Sequence, residues 1–324
     1  MSILQTLSQF SEQDAVALSV KRLMQYKLAH KLIPLSPKRT PQAKLAGSYI
    51  SKMKGRGMEF DEARHYQPGD DIRAIDWRVT ARTGKTHTKI FREERERPVF
   101  IATDISATMQ FGTQLQLKSV LAGHLASVLA WSAKARGDRV GGLAFNSLAH
   151  REIKPKNQDS AVLHLLTAIS ELQQTQPLHI DSAENPLLNA TKRLRRLAKP
   201  GSLVCIISDF QHLNDEVKQH LRQLSQHCEV RIFGVTDPLE TAQQDSSIPI
   251  LVTDGNEQAL RTMKPASQGT RYIDIQMSLA KMGINQQWLC ASIPLVKQLT
   301  KGLKPLTMSQ IQTHLKTAQS VGKR

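Results

Sequence analysis

The sequence predicts an α/β protein: a mostly parallel sheet with helices on both faces, plus a smaller N-terminal helical and β segment. Three observations carry this expectation. Apolar runs at 99–103, 140–145, 202–208 and 229–235 alternate with helix-length segments, the pattern of parallel strands joined by crossovers. Two of the runs end in a carboxylate, Asp104 and Asp209, where open α/β sheets place their binding loops. The chain has 324 residues and 40% hydrophobic content, enough for one large domain and a smaller one.

Taken in order, residues 12–33 place Val16, Val20, Leu23, Met24 and Leu28 at helical spacing, with Lys21, Lys27 and Lys31 among them. Packing on a core is the default role of such a helix. Pro37 and Pro41 bracket a polar linker. From Gly55 to Arg97 turn residues are dense, and 86–97 reads as an exposed, charged strand feeding the buried one at 99. Beyond it come a helix at about 114–136, a strand at 140–145, and helices near 159–173 and 184–198. The Asp209 strand, a helix near 213–226 and a strand at 229–235 complete the repeating unit. Residues 247–318 hold a strand at 248–253 and further helix. The expected division is a basic helical segment (1–54), a charged segment with a β-strand (55–97), the α/β domain (98–255), and a C-terminal α/β extension with a basic tail (256–324).

The net charge of +16 is unevenly placed. Residues 1–56 carry ten Lys or Arg against Glu12 and Asp14, residues 271–324 carry eight against Asp274, and the middle is close to neutral. Such ends suit phosphates, an anionic membrane surface or an acidic protein, or simply solvation. Aromatics are 5% of the chain and none interleave with the basic clusters, which argues against a stacking platform for single strands. Three cysteines, at 205, 228 and 290, show no metal-ligand spacing and fit a reducing compartment, with Cys205 as core. No run approaches the roughly 18 apolar residues of a membrane helix, and a cytoplasmic location is expected.

The Asp104-x-Ser106-x-Thr108 motif offers one carboxylate and two hydroxyls, hard donors that suit Mg²⁺ or Mn²⁺. Asp209, on what would be a neighbouring parallel strand, aims a second carboxylate at the same point. The alternative role for both aspartates is helix capping, and spacing alone leaves the two open. Nucleotide and catalytic readings find less. Gly84-Lys85-Thr86 resembles the end of a P-loop, yet Val79 stands where its first glycine belongs, and Gly55-x-Gly57 is followed by Phe60 in place of a third glycine. Asp-x-Asp, which supplies nucleophile and acid together, has Ser106 at its second position. The eleven histidines form no ligand grouping near the carboxylates. A metal-dependent phosphohydrolase therefore has no nameable base, and the chain is expected not to be an enzyme.

Between residues 50 and 255 the chain resembles a known family. Glu59-Phe60, then Arg64-x-Tyr66-x-x-Gly69-Asp70-Asp71-x-Arg73-x-Ile75-Asp76-Trp77, then Ala81-Arg82, resemble the signature of the domain-of-unknown-function family numbered 58. The likeness continues through 104–109, Phe111-Gly112, Lys118, 137–141 and Asp237-Pro238-Leu239-Glu240. It implies a von Willebrand factor A-like domain with a metal-ion-dependent adhesion site: Asp104, Ser106 and Thr108 on the first loop and Asp209 on the third, with an acidic residue of a partner protein completing the coordination of Mg²⁺ or Mn²⁺. The family pattern has a serine where Thr108 stands. For the threonine of its second loop, Ser182 is the best candidate and Thr175 a poorer one. The resemblance also implies a MoxR-type AAA+ ATPase partner, with ATP chemistry in that partner and a role in chaperone-like remodelling or maturation of complexes. Relatives often carry membrane helices, and here membrane contact is at most peripheral, through the basic first helix. Within 55–82 the residues Arg64, Tyr66, Asp70, Asp71, Arg73, Asp76, Trp77 and Arg82 are expected to form either an ion-pair network around Tyr66 and Trp77 or a docking surface. The competing function is a nucleic-acid- or membrane-associated protein that uses its basic termini.

Overall fold

The computed structural model describes residues 15–35, 58–93, 96–175, 185–241, 250–253, 260–263 and 266–302. Most of the basic residues of the two ends lie outside these stretches, as do the linker at 36–41 and Ser182. The chain forms two compact units, one of residues 1–35 with 97–324 and one of residues 36–96.

The larger unit opens with a short helix α1 (Val20–Gln25) that tightens into a 3-10 turn over Tyr26–Leu32. The smaller unit pairs β1 (Met58–His65) antiparallel with β2 (His87–Glu93), and helix α2 (Trp77–Thr83) lies between them in sequence. In the larger unit follow β3 (Pro98–Asp104), α3 (Lys118–Ala135), β4 (Arg139–Phe145), β5 (His150–Lys156), α4 (Asp159–Gln174), α5 (Pro186–Leu197), β6 (Leu203–Ser208), α6 (Asp215–Ser225), β7 (Glu229–Thr236) and α7 (Pro238–Thr241). A two-stranded antiparallel ribbon, β8 (Ile250–Thr253) with β9 (Leu260–Met263), precedes α8 (Ala266–Lys281), β10 (Asn285–Cys290) and α9 (Leu295–Thr300).

Six strands form one sheet in the order β10-β7-β6-β3-β4-β5, parallel except for β5. This is the mostly parallel sheet expected from the sequence. The period-2 pleat sorts its side chains: Val99, Ile101, Cys205 and Ile207 face a core built with α3, α4 and α9, while Phe100, Ala102, Val204 and Ile206 face one built with α5, α6 and α8. Burial pushes the Cys205 thiol up to about 12, so it is a core side chain without thiolate chemistry. The sheet's two edges escape the sequence pattern. His150–Lys156 carries His150, Arg151, Glu152, Lys154 and Lys156, charges that discourage further pairing at an edge, and Pro155 sits against Gly141 where the β4–β5 register shifts. Asn285–Cys290 begins with three amides, yet it supplies the other edge strand from beyond the 98–255 span expected for the domain.

The first helix differs from its expected face. Leu18, Leu23, Tyr26, Ala29 and Ile33 are buried, whereas Val16, Met24 and Leu28 are 54%, 46% and 58% exposed. Leu23, Tyr26, Ala29 and Leu32 recur every third residue, the repeat of a 3-10 helix, and that stripe lines the core in place of the 3.6-residue one. The segment covers α3, sixteen of whose eighteen residues are buried.

In the smaller unit the dense ion-pair network does not form among the described residues. Arg64 and Asp70 pair at 2.7 Å. Asp76 instead caps α2, accepting from the Arg78 and Val79 amides at 3.0 and 3.2 Å, and Asp71 caps a 3-10 turn by accepting from the Arg73 amide at 3.0 Å. Unpaired backbone N–H groups at helix starts outcompete exposed guanidiniums for these carboxylates. Gly84, at φ 68°, ends α2 in the left-handed conformation that glycine tolerates. Trp77 and Ile72 are not enclosed by charges; they are 68% and 66% exposed.

Candidate functional site

Asp104 ends β3, and Asp209 follows the last residue of β6, the neighbouring parallel strand; both are fully buried. Asp104 is held by its own loop and by that strand. Its Oδ1 accepts from the Ser106 amide at 2.9 Å and its Oδ2 from the Ser208 hydroxyl at 2.7 Å. The Ser106 and Thr108 hydroxyls lie 3.3 Å apart, and the Thr108 side chain also hydrogen-bonds Asp209. Asp104, Ser106, Thr108 and Asp209 thus lie together at the ends of β3 and β6. Neither aspartate caps an α-helix: α3 begins at Lys118 with Leu117 before it, and α6 is capped by Asn214.

Burial, and then the neighbouring Asp209 charge, push the Asp104 carboxyl above the usual aspartate range. Asp209 goes the other way. Burial opposes its ionisation, but Lys118 and hydrogen bonds from Gln211 and Thr108 hold it below that range. Lys118, the first residue of α3, has its Nζ 2.9 Å from Asp209 Oδ2 and 2.6 Å from Glu240 Oε1, with no solvent exposure. Burial would lower its pKa, yet the two carboxylates raise it. Glu240, in α7, accepts on its other oxygen from the Tyr272 hydroxyl at 2.8 Å and the Asp237 amide at 3.2 Å. Asp237 is tied back to the first loop by the Thr113 amide and hydroxyl at 2.9 and 2.6 Å. Phe210, directly after Asp209, is the one non-glycine with positive φ (56°) among the described residues. Backbone strain of this kind persists only where the surroundings enforce it. Here they are the buried core and the Ser208 hydroxyl, which accepts from the Phe210 amide at 3.0 Å.

A metal implied by the resemblance can be tested against these residues. Among the described residues no group of three His, Cys, Asp or Glu side chains is placed to hold a metal ion. The available donors are two carboxylates and two hydroxyls, the set preferred by a hard cation that keeps several waters. Asp104 accepts from the Ser208 hydroxyl and from the amide and side chain of Ser106, all neutral donors that leave its charge uncompensated. The crowding of two buried carboxylates is what a cation would relieve. The residues fit. Thr175, the poorer second-loop candidate, closes its hydroxyl on the Glu171 carbonyl oxygen of its own helix at 2.8 Å.

Sequence reasoning missed Lys118, Ser208, Glu240 and Tyr272. Lys118 and Glu240 stood within the matched segments, which was the available signal; Ser208 is the last residue of an apolar strand, and Tyr272 carried none.

The family model described as "Protein of unknown function DUF58" matches residues 62–276. The chain belongs to the DUF58 family. An uncharacterized protein of Mycobacterium tuberculosis is 30% identical to this DUF58 chain over 217 residues, 67% of each chain. Among solved structures, the conserved hypothetical protein BatB from Bacteroides thetaiotaomicron is similar at 17% identity and a TM-score of 0.36, covering 58% of this chain and 98% of its own. A von Willebrand factor type A protein from Catenulispora acidiphila is similar at 11% identity and a TM-score of 0.32, covering 61% of this chain and 44% of its own. Among the described residues no helix of this DUF58 protein is long and apolar enough to cross a membrane.

Proposed function

We infer that this DUF58 protein is a non-enzymatic adaptor that grips an acidic residue of a protein partner through Mg²⁺ or Mn²⁺. The observation that carries the reading is the convergence of Asp104, Ser106, Thr108 and Asp209 at the carboxyl ends of β3 and β6. The cation supplies positive charge and an open coordination position. The protein residues hold oxygens in place: Ser208 and the Ser106 amide fix Asp104, and Thr108 joins Ser106 to Asp209. An acidic residue of the partner would complete the donor set, which would make cation and partner binding mutually dependent. Ser182 is the proposed second-loop ligand. Work beside a MoxR-type AAA+ ATPase, in remodelling or maturing other proteins, is the setting that the family resemblance supports, with a cytoplasmic location.

Calorimetric titration of Mg²⁺ and Mn²⁺ into metal-free protein tests the reading. Saturable binding that is lost in Asp104→Ala and Asp209→Ala supports it. Binding that persists in both variants, or is absent with and without an acidic peptide, rejects it.

A further inference from the structure

Among the described residues Lys118 is the one buried Lys or Arg, and nothing in an adhesion-type site requires an ammonium there. Its placement runs against local preference. A lysine in the first turn of an eighteen-residue helix faces the positive end of the helix dipole, and Leu117 before it gives no side-chain cap. The two carboxylates, not the helix, account for it.

We propose that Lys118 is a built-in competitor for Asp209, a resident cation that a divalent ion must displace in order to bind. This rests on the cation-site reading above and adds its regulation. In the structure the Lys118 ammonium lies 2.9 Å from Asp209 Oδ2, while Asp209 Oδ1 accepts from the Gln211 amide at 3.1 Å. Asp209 is therefore already neutralised from within. Asp104 is not: among the described residues its partners are hydroxyl and amide donors and no ammonium touches it. The two aspartates have different roles as a result. Asp104 is a standing anchor for a cation, and Asp209 is an oxygen donor that has to be released.

Release needs somewhere for the ammonium to go, because a buried lysine without a partner is strongly disfavoured. Glu240 provides it. Its Oε1 already accepts from Lys118 at 2.6 Å, closer than Asp209 does. Its Oε2 is held by the Tyr272 hydroxyl and the Asp237 amide, so the carboxylate stays in place when Asp209 lets go. Lys118 can swing wholly onto Glu240 without leaving its burial site. An ion drawing on Asp209 while the ammonium remains would place like charges on one carboxylate in a poorly solvated interior, where repulsion is least screened. The lysine thus holds the affinity of the four oxygens below what they would reach alone.

The test is calorimetric titration of Mg²⁺ into full-length, metal-free wild-type protein, Lys118→Met, Lys118→Gln, Lys134→Met and the double variant Lys118→Met/Asp104→Ala. Lys134 lies in the last turn of the same helix and controls for net charge. The expected result is at least tenfold tighter Mg²⁺ binding in both Lys118 variants, affinity within twofold of wild type in Lys134→Met, and no binding in the double variant. Thermal unfolding with and without Mg²⁺ gives a second readout: the ion should raise the midpoint more in the Lys118 variants than in wild type, and a variant that folds only when Mg²⁺ is present also supports the competition. Wild-type binding with equal or weaker affinity in Lys118→Met and Lys118→Gln overturns the competition and leaves the cation site standing. So does failure of both variants to fold even in excess Mg²⁺ when wild type binds it. Absence of binding in every protein instead removes the cation-site reading, and this inference with it.

Discussion

The Ser208 hydroxyl donates to Asp104 Oδ2 at 2.7 Å across the β3–β6 pair, and through it the two aspartate loops share one hydrogen-bond system. The same oxygen accepts from the Phe210 amide at 3.0 Å. Ser208→Ala removes both bonds from buried partners. We expect a loss of about 1–3 kcal/mol in chemical denaturation, the cost of stranding buried polar partners. An unchanged midpoint would mean that Asp104 finds another donor.

Phe210 is buried while its backbone sits at φ 56°. Two effects then oppose each other on substitution. Losing the ring costs roughly 3–5 kcal/mol, and its packing against Trp288, with centroids 6.3 Å apart, is part of that loss. The left-handed backbone costs any residue with a Cβ about 1–2 kcal/mol, a strain glycine does not bear. Phe210→Gly should therefore be at least as stable as Phe210→Ala, the reverse of their usual order in regular structure. Urea midpoints of the two variants decide it; a clear advantage for alanine would mean that the loop relaxes out of the left-handed region.

The order of these loops was legible in the sequence because it depends on local signals. The strand runs are unbroken apolar stretches at 99–102 and 203–207, each followed by one hydroxyl residue and then its aspartate, so the meeting of Asp104 and Asp209 follows from parallel neighbours. Lys118 and Glu240 were not legible as a pair with Asp209. Their hydrogen-bond partners lie 91 and 122 residues away along the chain, and a lysine at a helix start reads as surface. The edge strands β5 and β10 lack the apolar face that marks β3 and β6, since an edge needs only part of one. The 3-10 stripe of Leu23, Tyr26, Ala29 and Leu32 was hidden because Val20, Met24 and Leu28 also match an α-helical period, and only packing against α3 chooses between them.

His220 receives the Arg195 guanidinium on Nδ1 at 2.7 Å. Arginine stays protonated, so that nitrogen must be the unprotonated acceptor. Partial burial, then the Arg195 and Lys192 charges, hold the His220 pKa below the usual histidine value. A folded value below the unfolded one, near 6.5, means that the contribution to stability is present above about pH 6.5 and is lost as pH falls through the folded value. The group is only partly buried, so the effect on stability is small and screened by salt. An NMR titration of the ring should show the lowered pKa, and Arg195→Gln should raise it toward the ordinary value. An unshifted titration in that variant would show that Arg195 does not hold the imidazole in solution.

The N-terminal segment makes the last prediction, because α3 cannot face water on the side that residues 15–35 cover. A helix buried almost all the way round is a core element, and apart from Lys118, His124 and Lys134 it consists of Ala, Leu, Val, Ser, Gly and Trp, with no acidic residue, which matches that setting. The cover is fastened by hydroxyls of α3 itself: Ser127 donates to the Leu23 carbonyl oxygen at 2.6 Å and Ser132 to that of Ile33 at 2.7 Å. Arg97 ties the end of the segment by donating to the Leu35 carbonyl oxygen at 2.9 Å while it pairs with Glu229 at 2.7 Å. Each serine-to-alanine change should cost about 1 kcal/mol, and the two should add, since they hold separate stretches of backbone. Removing residues 1–35 should cost far more, because Leu18, Leu23, Tyr26 and Ala29 leave the core together and uncover the helix beneath. We expect that truncation to aggregate or to lose its cooperative thermal transition. A truncated protein that unfolds cooperatively near the wild-type midpoint would show instead that α3 tolerates exposure and that the segment is an appendage.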